Sequence, residues 1–388
     1  MYGKSQKKPI DHSLSQVLRL IKNDGPITRV DLAQQLHMSA PTISRLVERL
    51  TNECIVQCTG NAESHGGRKP SLYTLYPEGG YSIGVDITKR HFVAATFDLS
   101  GTICERYTRD PAQPQEFLST LVEFLEEILA ANKDKRIFGI GIGISGNVVH
   151  QTKILRYSNL FDFHDVPLER ILSNKLPIPV IVEERVRCAA FAGSLASDRA
   201  DSDVIYMQVG TGIGVGIVHN GELFYGNGES SAGEIGHMIL DINGPECSCG
   251  GRGCLEQLAS ETAIIREVVA RGGYTGKLNG QSIVDAAQAG NECCFQVVDQ
   301  AIKYLAIGII NLFMIFNPNR IIITNHISNK DDLIKDRLYH HLNRLSARNF
   351  SWNDSVLFDQ NRDMSLQGGA MLVLEEIFQN PMYYSHKH

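Results

Sequence analysis

Between positions 233 and 256 the chain reads Gly233-Glu234-Ile235-Gly236-His237 and then Cys247-Ser248-Cys249-Gly250-Gly251-Arg252-Gly253-Cys254-Leu255-Glu256. Three cysteines and a histidine within eighteen residues, spaced by glycines that let the backbone fold round a point, have the composition of a four-ligand zinc site. We read His237, Cys247, Cys249 and Cys254 as the ligands. Four protein ligands leave no open position for water, so such a zinc is structural, and an S₃N donor set suits zinc better than iron. Glu234 lies three residues before His237 and Glu256 two after Cys254. The metal would fix both acids relative to each other on the rim of a pocket.

The surrounding chain is long enough for two or three domains: 388 residues, 43% hydrophobic, with one Trp. We find no apolar run of about eighteen residues and no signal-like N-terminus, which points to the cytoplasm and away from a membrane. Nine cysteines, several at metal spacing, fit a reducing compartment better than a disulfide framework. The net charge of -6 hides an asymmetry: residues 1 to 70 carry +4 and the remainder -10. A basic head on an acidic body places any contact with phosphate on the head.

In that head Leu14, Val17, Leu18 and Ile21 recur at helical spacing until Asn23-Asp24-Gly25-Pro26 stops them. A second helix is expected from Arg29 to Leu36, with Thr28 as N-cap. A third follows the turn His37-Met38-Ser39, with Ser39 as cap and Pro41 in its first turn. Ile43, Leu46, Val47 and Leu50 face inward; Thr42, Ser44, Arg45, Glu48 and Arg49 face out. Two short helices joined by a tight turn, the second starting with small polar residues and Arg, form a helix-turn-helix. Cys54 to Gln57 and Ser71 to Leu75 read as two strands joined by a polar loop ending Gly66-Gly67-Arg68-Lys69-Pro70, which makes the motif winged. We assign base reading to Thr42, Ser44 and Arg45, and phosphate or minor-groove contact to Arg68 and Lys69.

Gly-Glu-x-Gly-His followed by Cys-x-Cys-Gly-x-x-Gly-Cys-x-Glu resembles the signature of the ROK family (repressors, open reading frames, kinases). The resemblance implies an α/β architecture: an N-terminal winged helix-turn-helix over residues 1-78, then a two-lobed actin-like ATPase (ROK sugar-kinase) fold over residues 79-388. The loop before Pro70 resembles the wing of ROK repressors, whereas kinases of the family lack the whole head. Helices expected at Thr262 to Ala270, Ile283 to Ala289 and Phe295 to Phe316 would supply a dimer surface. Gly368-Gly369-Ala370 is expected to open a last helix that returns to the first lobe. No internal repeat is visible.

Against that family the body departs at the chemistry. The first phosphate loop, between the strands Ser82 to Ile87 and Phe92 to Asp98, reads Thr88-Lys89-Arg90-His91, without the glycines that let backbone approach a nucleotide. The second, Gly210-Thr211-Gly212-Ile213-Gly214-Val215-Gly216, matches. The third has Thr324-Asn325-His326 where many kinases show a glycine pair, and this bulk would crowd an adenosine. After the strand Pro179 to Val182, family kinases read Glu-Asn-Asp-Ala-Asn-Ala-Ala, the Asp being the base that activates the sugar hydroxyl. Here the chain reads Glu183-Glu184-Arg185-Val186-Arg187-Cys188-Ala189-Ala190. A guanidinium does not accept a proton at physiological pH, and loss of a general base costs about 10² to 10⁴ in rate.

Together with these departures, the resemblance implies a sugar-responsive DNA-binding transcriptional regulator, a repressor of carbohydrate uptake or catabolism genes. It would carry structural Zn²⁺, not use ATP, and bind a palindromic, A/T-rich double-stranded operator as a homodimer or homotetramer. By the same resemblance the effector, a sugar or sugar derivative, would meet Asn159, carried over from the family's sugar-binding Asn in Ser158-Asn159-Leu160, and Glu184, Arg185, Glu234, His237 and Glu256. Arg185, with Arg187 beside it, suits an effector that is itself anionic, a sugar phosphate or sugar acid. Local ion pairing of Arg185 to Glu183, Glu184 or Asp165 competes with that role. Two alternatives stay open: an ATP-dependent sugar kinase with an appended head, and a repressor switched by a protein partner.

Overall fold

The computed structural model describes residues 12–62, 69–88, 91–110, 114–158, 163–195, 203–227, 232–328, 332–346 and 350–379. The head opens with α1 (His12–Asp24), β1 (Ile27–Thr28), α2 (Arg29–Gln35) and α3 (Ala40–Asn52), then β2 (Val56–Asn61) and β3 (Ser71–Leu75). Its core is the expected one: Leu14, Val17, Leu18 and Ile21 of α1 and Ile43, Leu46, Val47 and Leu50 of α3 are all buried. β3 lies between β1 and β2 in a small antiparallel sheet. The first wing strand begins at Val56 rather than Cys54, because Cys54 adopts a positive φ of 56° that turns the chain out of α3. The two-residue β1 is too short to leave a periodic signal.

The first half of the body contributes β4 (Tyr81–Ile87), β5 (Phe92–Asp98), β6 (Ile103–Arg109), α4 (Phe117–Ala131), β7 (Ile137–Ile144), β8 (Asn147–Val149), β9 (Ile154–Ser158), β10 (Phe163–Val166), α5 (Leu168–Lys175) and β11 (Val180–Glu184). Five of these strands form one sheet in the order β11-β7-β4-β5-β6, with β4 parallel to β7 and antiparallel to β5. The edge strand β6, Ile-Cys-Glu-Arg-Tyr-Thr-Arg, is mostly exposed and lacks an apolar face, so no alternation marks it in the sequence. β10, β9 and β8 form a separate small sheet.

The second half contains α6 (Arg185–Leu195), β12 (Val204–Val209), β13 (Ile213–His219), β14 (Glu222–Leu223), α7 (Leu255–Ala259), α8 (Glu261–Arg271), α9 (Gly280–Gln288), α10 (Glu292–Phe316), β15 (Arg320–Asn325), α11 (Asp332–Leu345), α12 (Trp352–Ser355) and β16 (Val356–Phe358). Its sheet order is β14-β13-β12-β15-β16, again a central strand antiparallel to the next in sequence and parallel to a later one. A topological repeat therefore exists where residue identities show none.

Ser260, Asn279 and Asn291 cap α8, α9 and α10 by accepting a backbone N–H of the first turn. Among the described residues α10 alone is long and apolar enough to cross a membrane by length and composition, and half of that apolar window is buried against its own core. Asp299 of α10 pins α11: its Oδ1 accepts from Arg337 Nε at 2.6 Å and from His341 Nε2 at 2.8 Å.

The chain folds as two compact units: one takes residues up to Val148, Lys153–Glu183 and the chain from Leu366 on, the other Val149–Thr152 and Glu184–Ser365. The last helix, α13 (Met364–Gln379), returns to the first unit as expected, but it starts before the glycine pair rather than at it. The pair is a packing device. A Cβ on Gly141 of β7 would lie 1.9 Å from the carbonyl oxygen of Gly369, and one on Gly369 would lie 2.6 Å from that of Gly141. Helix and sheet approach backbone to backbone, a contact only glycine permits.

Candidate functional site

In the head, Thr28 and Asp31 form a reciprocal capping box that starts α2. Ser39 Oγ accepts the N–H of Thr42 at 3.3 Å and pairs with the Thr42 hydroxyl at 2.8 Å, which starts α3. Thr42 thus has a capping duty beside the reading role expected of it. Arg45 and Glu48 are exposed on α3, with Thr42, Ser44 and Arg49 partly so. Arg29 at the start of α2 covers the Tyr73 ring of β3 at 4.9 Å, joining helix to wing. Lys69 is exposed at the end of the wing loop; Arg68 lies outside the described residues.

The stretch from Gly233 folds back on itself through paired bridges, Ile239 to Cys254 and Glu246 to Arg252. Gly253 makes the return possible: its φ is +61°, and a Cβ there would sit 1.6 Å from the Asp241 carbonyl oxygen. One ligand atom from each of His237, Cys247, Cys249 and Cys254 falls within 4.8 Å of all the others. Cys249 Sγ and Cys254 Sγ are 3.7 Å apart, and Cys247 Sγ and His237 Nδ1 are 3.4 Å apart. Tetrahedral zinc with bonds of about 2.0–2.3 Å requires edges of roughly 3.3–3.8 Å, and these two pairs fall in that range. Burial pushes the Cys254 thiol up to about 12, and its neighbours Cys249 and Cys247 push the same way. The N–H of Gly251 brings the exposed Cys249 down. A divalent cation is the group that lets these donors ionise together.

With Nδ1 toward the cysteines, His237 keeps Nε2 on its other side, 3.9 Å from Glu234 Oε2. Glu256, at the start of α7, accepts the backbone N–H of Ile213 at 3.0 Å. Glu184 and Arg187 are both buried and 3.3 Å apart, and the Arg187 guanidinium also covers the Tyr225 ring at 5.2 Å. Glu184 is thus paired with Arg187, while Arg185, the first residue of α6, is partly buried. Asn159 lies outside the described residues, as do Lys89 and Arg90 between β4 and β5 and the C-terminal residues 380–388. The partnership of Tyr225 with Arg187 carries no signal in the sequence.

The glycine turn after β12 is folded on itself. Gly210 N–H donates to Gly212 O at 2.9 Å, and the carbonyls of Gly210 and Thr211 accept from Glu261 N at 2.7 Å and Thr262 Oγ1 at 2.8 Å. The N–H of Ile213 already faces a carboxylate. At the end of β15, buried Thr324 shares a hydrogen bond with the Tyr206 hydroxyl. Asn325 turns its amide back on the chain, accepting from Ile327 N at 2.9 Å and donating to Ser328 O at 3.1 Å.

The ROK family model matches residues 82–376. The chain belongs to the ROK family. A winged helix-turn-helix DNA-binding model matches residues 10–53, ahead of the ROK portion. The xylose repressor of Bacillus spizizenii is 30% identical over 316 residues, 80% of this chain and 81% of that protein. The crystal structure of a ROK family transcriptional regulator, described as a homologue of the E. coli MLC protein, superposes with a TM-score of 0.84 at 22% identity, covering 96% of this chain and 98% of that one. The ROK hexokinase of Thermus thermophilus gives a TM-score of 0.67 at 24% identity, covering 76% of this chain and 99% of that enzyme. The likeness to the regulator extends over the head; the whole hexokinase finds its counterpart in three quarters of this chain.

Proposed function

We propose that this ROK protein is a sugar-responsive transcriptional repressor whose kinase-like body binds an effector and transfers no phosphate. The observation that carries the reading is the joining of a capped, winged helix-turn-helix to a ROK body on one chain. We place the division between head and effector domain at 78/79. Thr42, Ser44 and Arg45 read bases, and Arg68 and Lys69 contact phosphate or the minor groove of a palindromic operator. The protein binds as a two-fold dimer in the cytoplasm.

His237, Cys247, Cys249 and Cys254 would hold one structural zinc, which supplies rigidity to the rim that carries Glu234 and Glu256. Those acids, His237 Nε2 and Asn159 hold ring hydroxyls. Arg185 meets an anionic substituent, and Glu184 is held beside it by its pair with Arg187. Three features speak against ATP: the glycine turn spends its groups on its own fold, Thr324 and Asn325 are tied down, and Arg185 stands where the family places its base.

A thermal-shift panel of neutral hexoses, amino sugars, their 6-phosphates and uronic acids, run on wild type and Arg185→Ala, tests the reading. A ligand at a hundred times its Kd stabilises by about 2.7 kcal/mol. A shift with an anionic sugar that disappears in the variant supports the assignment. Shifts with neutral sugars alone sink the anion role, and silence across the panel sinks the sugar sensor.

A further inference from the structure

Two elements of the head are fastened to the body by residues that are not part of the head. On α1, Arg19 Nη2 lies 2.5 Å from Glu375 Oε1 and Lys22 Nζ lies 3.6 Å from Glu375 Oε2, both on α13. Lys22 also covers the Phe378 ring at 4.4 Å. At the end of α3, Arg136 Nη1 donates to the carbonyl of Glu53, the C-cap residue, at 2.9 Å. Its Nη2 is 3.7 Å from the Glu53 carboxylate, and its guanidinium covers the Phe138 ring at 4.9 Å. A cation on a helix C-terminal carbonyl is favourable in itself, because that end of the helix carries partial negative charge. Between these points Tyr76 N–H donates to Ile55 O at 2.9 Å, and a Cβ on Gly79 would lie 1.7 Å from the Cys54 carbonyl oxygen. The anchors themselves are firm: α13 meets β7 through the Gly141–Gly369 contact, and Arg136 immediately precedes β7.

One attachment would let a head swivel; attachments on both α1 and the end of α3 fix its orientation. We propose that Arg136 and Glu375 are positioning residues for DNA recognition, locking α1 and α3 to the rest of the first compact unit so that the reading helix moves with it as one body. This rests on the DNA-binding reading. A chain segment near residue 78 then acts as a seam, not a hinge. In a two-fold dimer, a fixed head permits one spacing between half-sites, whereas a swivelling head tolerates several.

The test compares the full-length wild type, the double variant Arg136→Ala/Glu375→Gln, and Arg136→Lys. Hydrogen exchange is followed in peptides over residues 12–24 and 40–53, with 137–144 and 204–209 as internal references. Duplexes selected in vitro by the wild type are then rebuilt with half-site spacings changed by one to three base pairs. The expected result is head exchange at least tenfold faster in the double variant with the references unchanged. The wild type loses at least tenfold in affinity with altered spacing and the double variant less than threefold, both binding an isolated half-site within twofold, and Arg136→Lys behaves like wild type. Unchanged head exchange, or an equally strict spacing preference in the double variant, overturns the proposal. So does a parallel loss of half-site affinity, which would mean that the pair merely keeps the head folded. A wild type that selects no duplex sinks the DNA-binding reading and the positioning role together; the exchange result then shows whether the lock itself survives.

Discussion

Glu256 Oε2 accepts the backbone N–H of Ile213 at 3.0 Å, so the acid that follows the last cysteine also closes the glycine turn after β12. The cysteine loop and the glycine turn are one piece of structure.

Glu256→Ala should leave the Ile213 N–H without its acceptor and lower stability by about 1–3 kcal/mol, whereas Glu256→Gln, which retains an acceptor oxygen, should cost less than about 1 kcal/mol. Thermal unfolding of the two variants beside wild type checks this. Equal losses would show that the negative charge, not the hydrogen bond, is what the turn needs.

One zinc per chain is expected by atomic spectroscopy of protein purified without added chelator. Cys254→Ser should abolish it, and chelation of the wild type should lower the melting temperature, since binding free energy at a structural site is folding free energy. Metal-free protein that melts at the wild-type temperature would remove zinc from the account.

Arg45→Ala should weaken binding to a selected operator by about 1–3 kcal/mol and relax preference at one or two base pairs. Lys69→Ala should weaken all duplexes alike and reduce the slope of log affinity against log salt by about 1. Titrations at several salt concentrations separate the two. Identical profiles would mean that Arg45 contacts only phosphate.

Burial raises the Asp299 carboxyl, but the hydrogen bonds from Arg337 and His341 and their nearby charges outweigh it and leave the group below its usual range. Its contribution should therefore be complete above the unfolded carboxylate value of about 3.9 and fade as the pH falls through the lower folded value. Asp299→Asn should cost about 1–3 kcal/mol at pH 7. The gap from wild type should narrow as the pH falls below that unfolded value, as read by thermal melts across pH. A constant gap would deny the carboxylate its role in pinning α11.

The head was legible almost residue by residue because its signals are local: a helical apolar stripe, Thr28 and Ser39 as caps, and Pro41 in a first turn. The gathering of His237, Cys247, Cys249 and Cys254 was legible for the same reason, four donors lying within one short stretch. What escaped was set by distant partners. Gly368-Gly369 reads as a helix opening until Gly141, more than two hundred residues earlier, is seen against it. Arg187 looked like a ligand for an anion, yet Glu184 and the Tyr225 ring enclose it. The matching strand orders of the two sheets live in connectivity and hydrogen bonding, which no comparison of side-chain identities registers.

Arg19 and Glu375 are separated by 356 residues of chain. At a synthesis rate of about 5–20 residues per second, α1 would leave the ribosome roughly 20–70 seconds before its partner exists. Throughout that interval a finished head would ride on the nascent chain without its anchor on α13. A message cut short before the codon for Glu375 would leave every residue of α3 translated and, on the positioning role proposed above, its bearing unset.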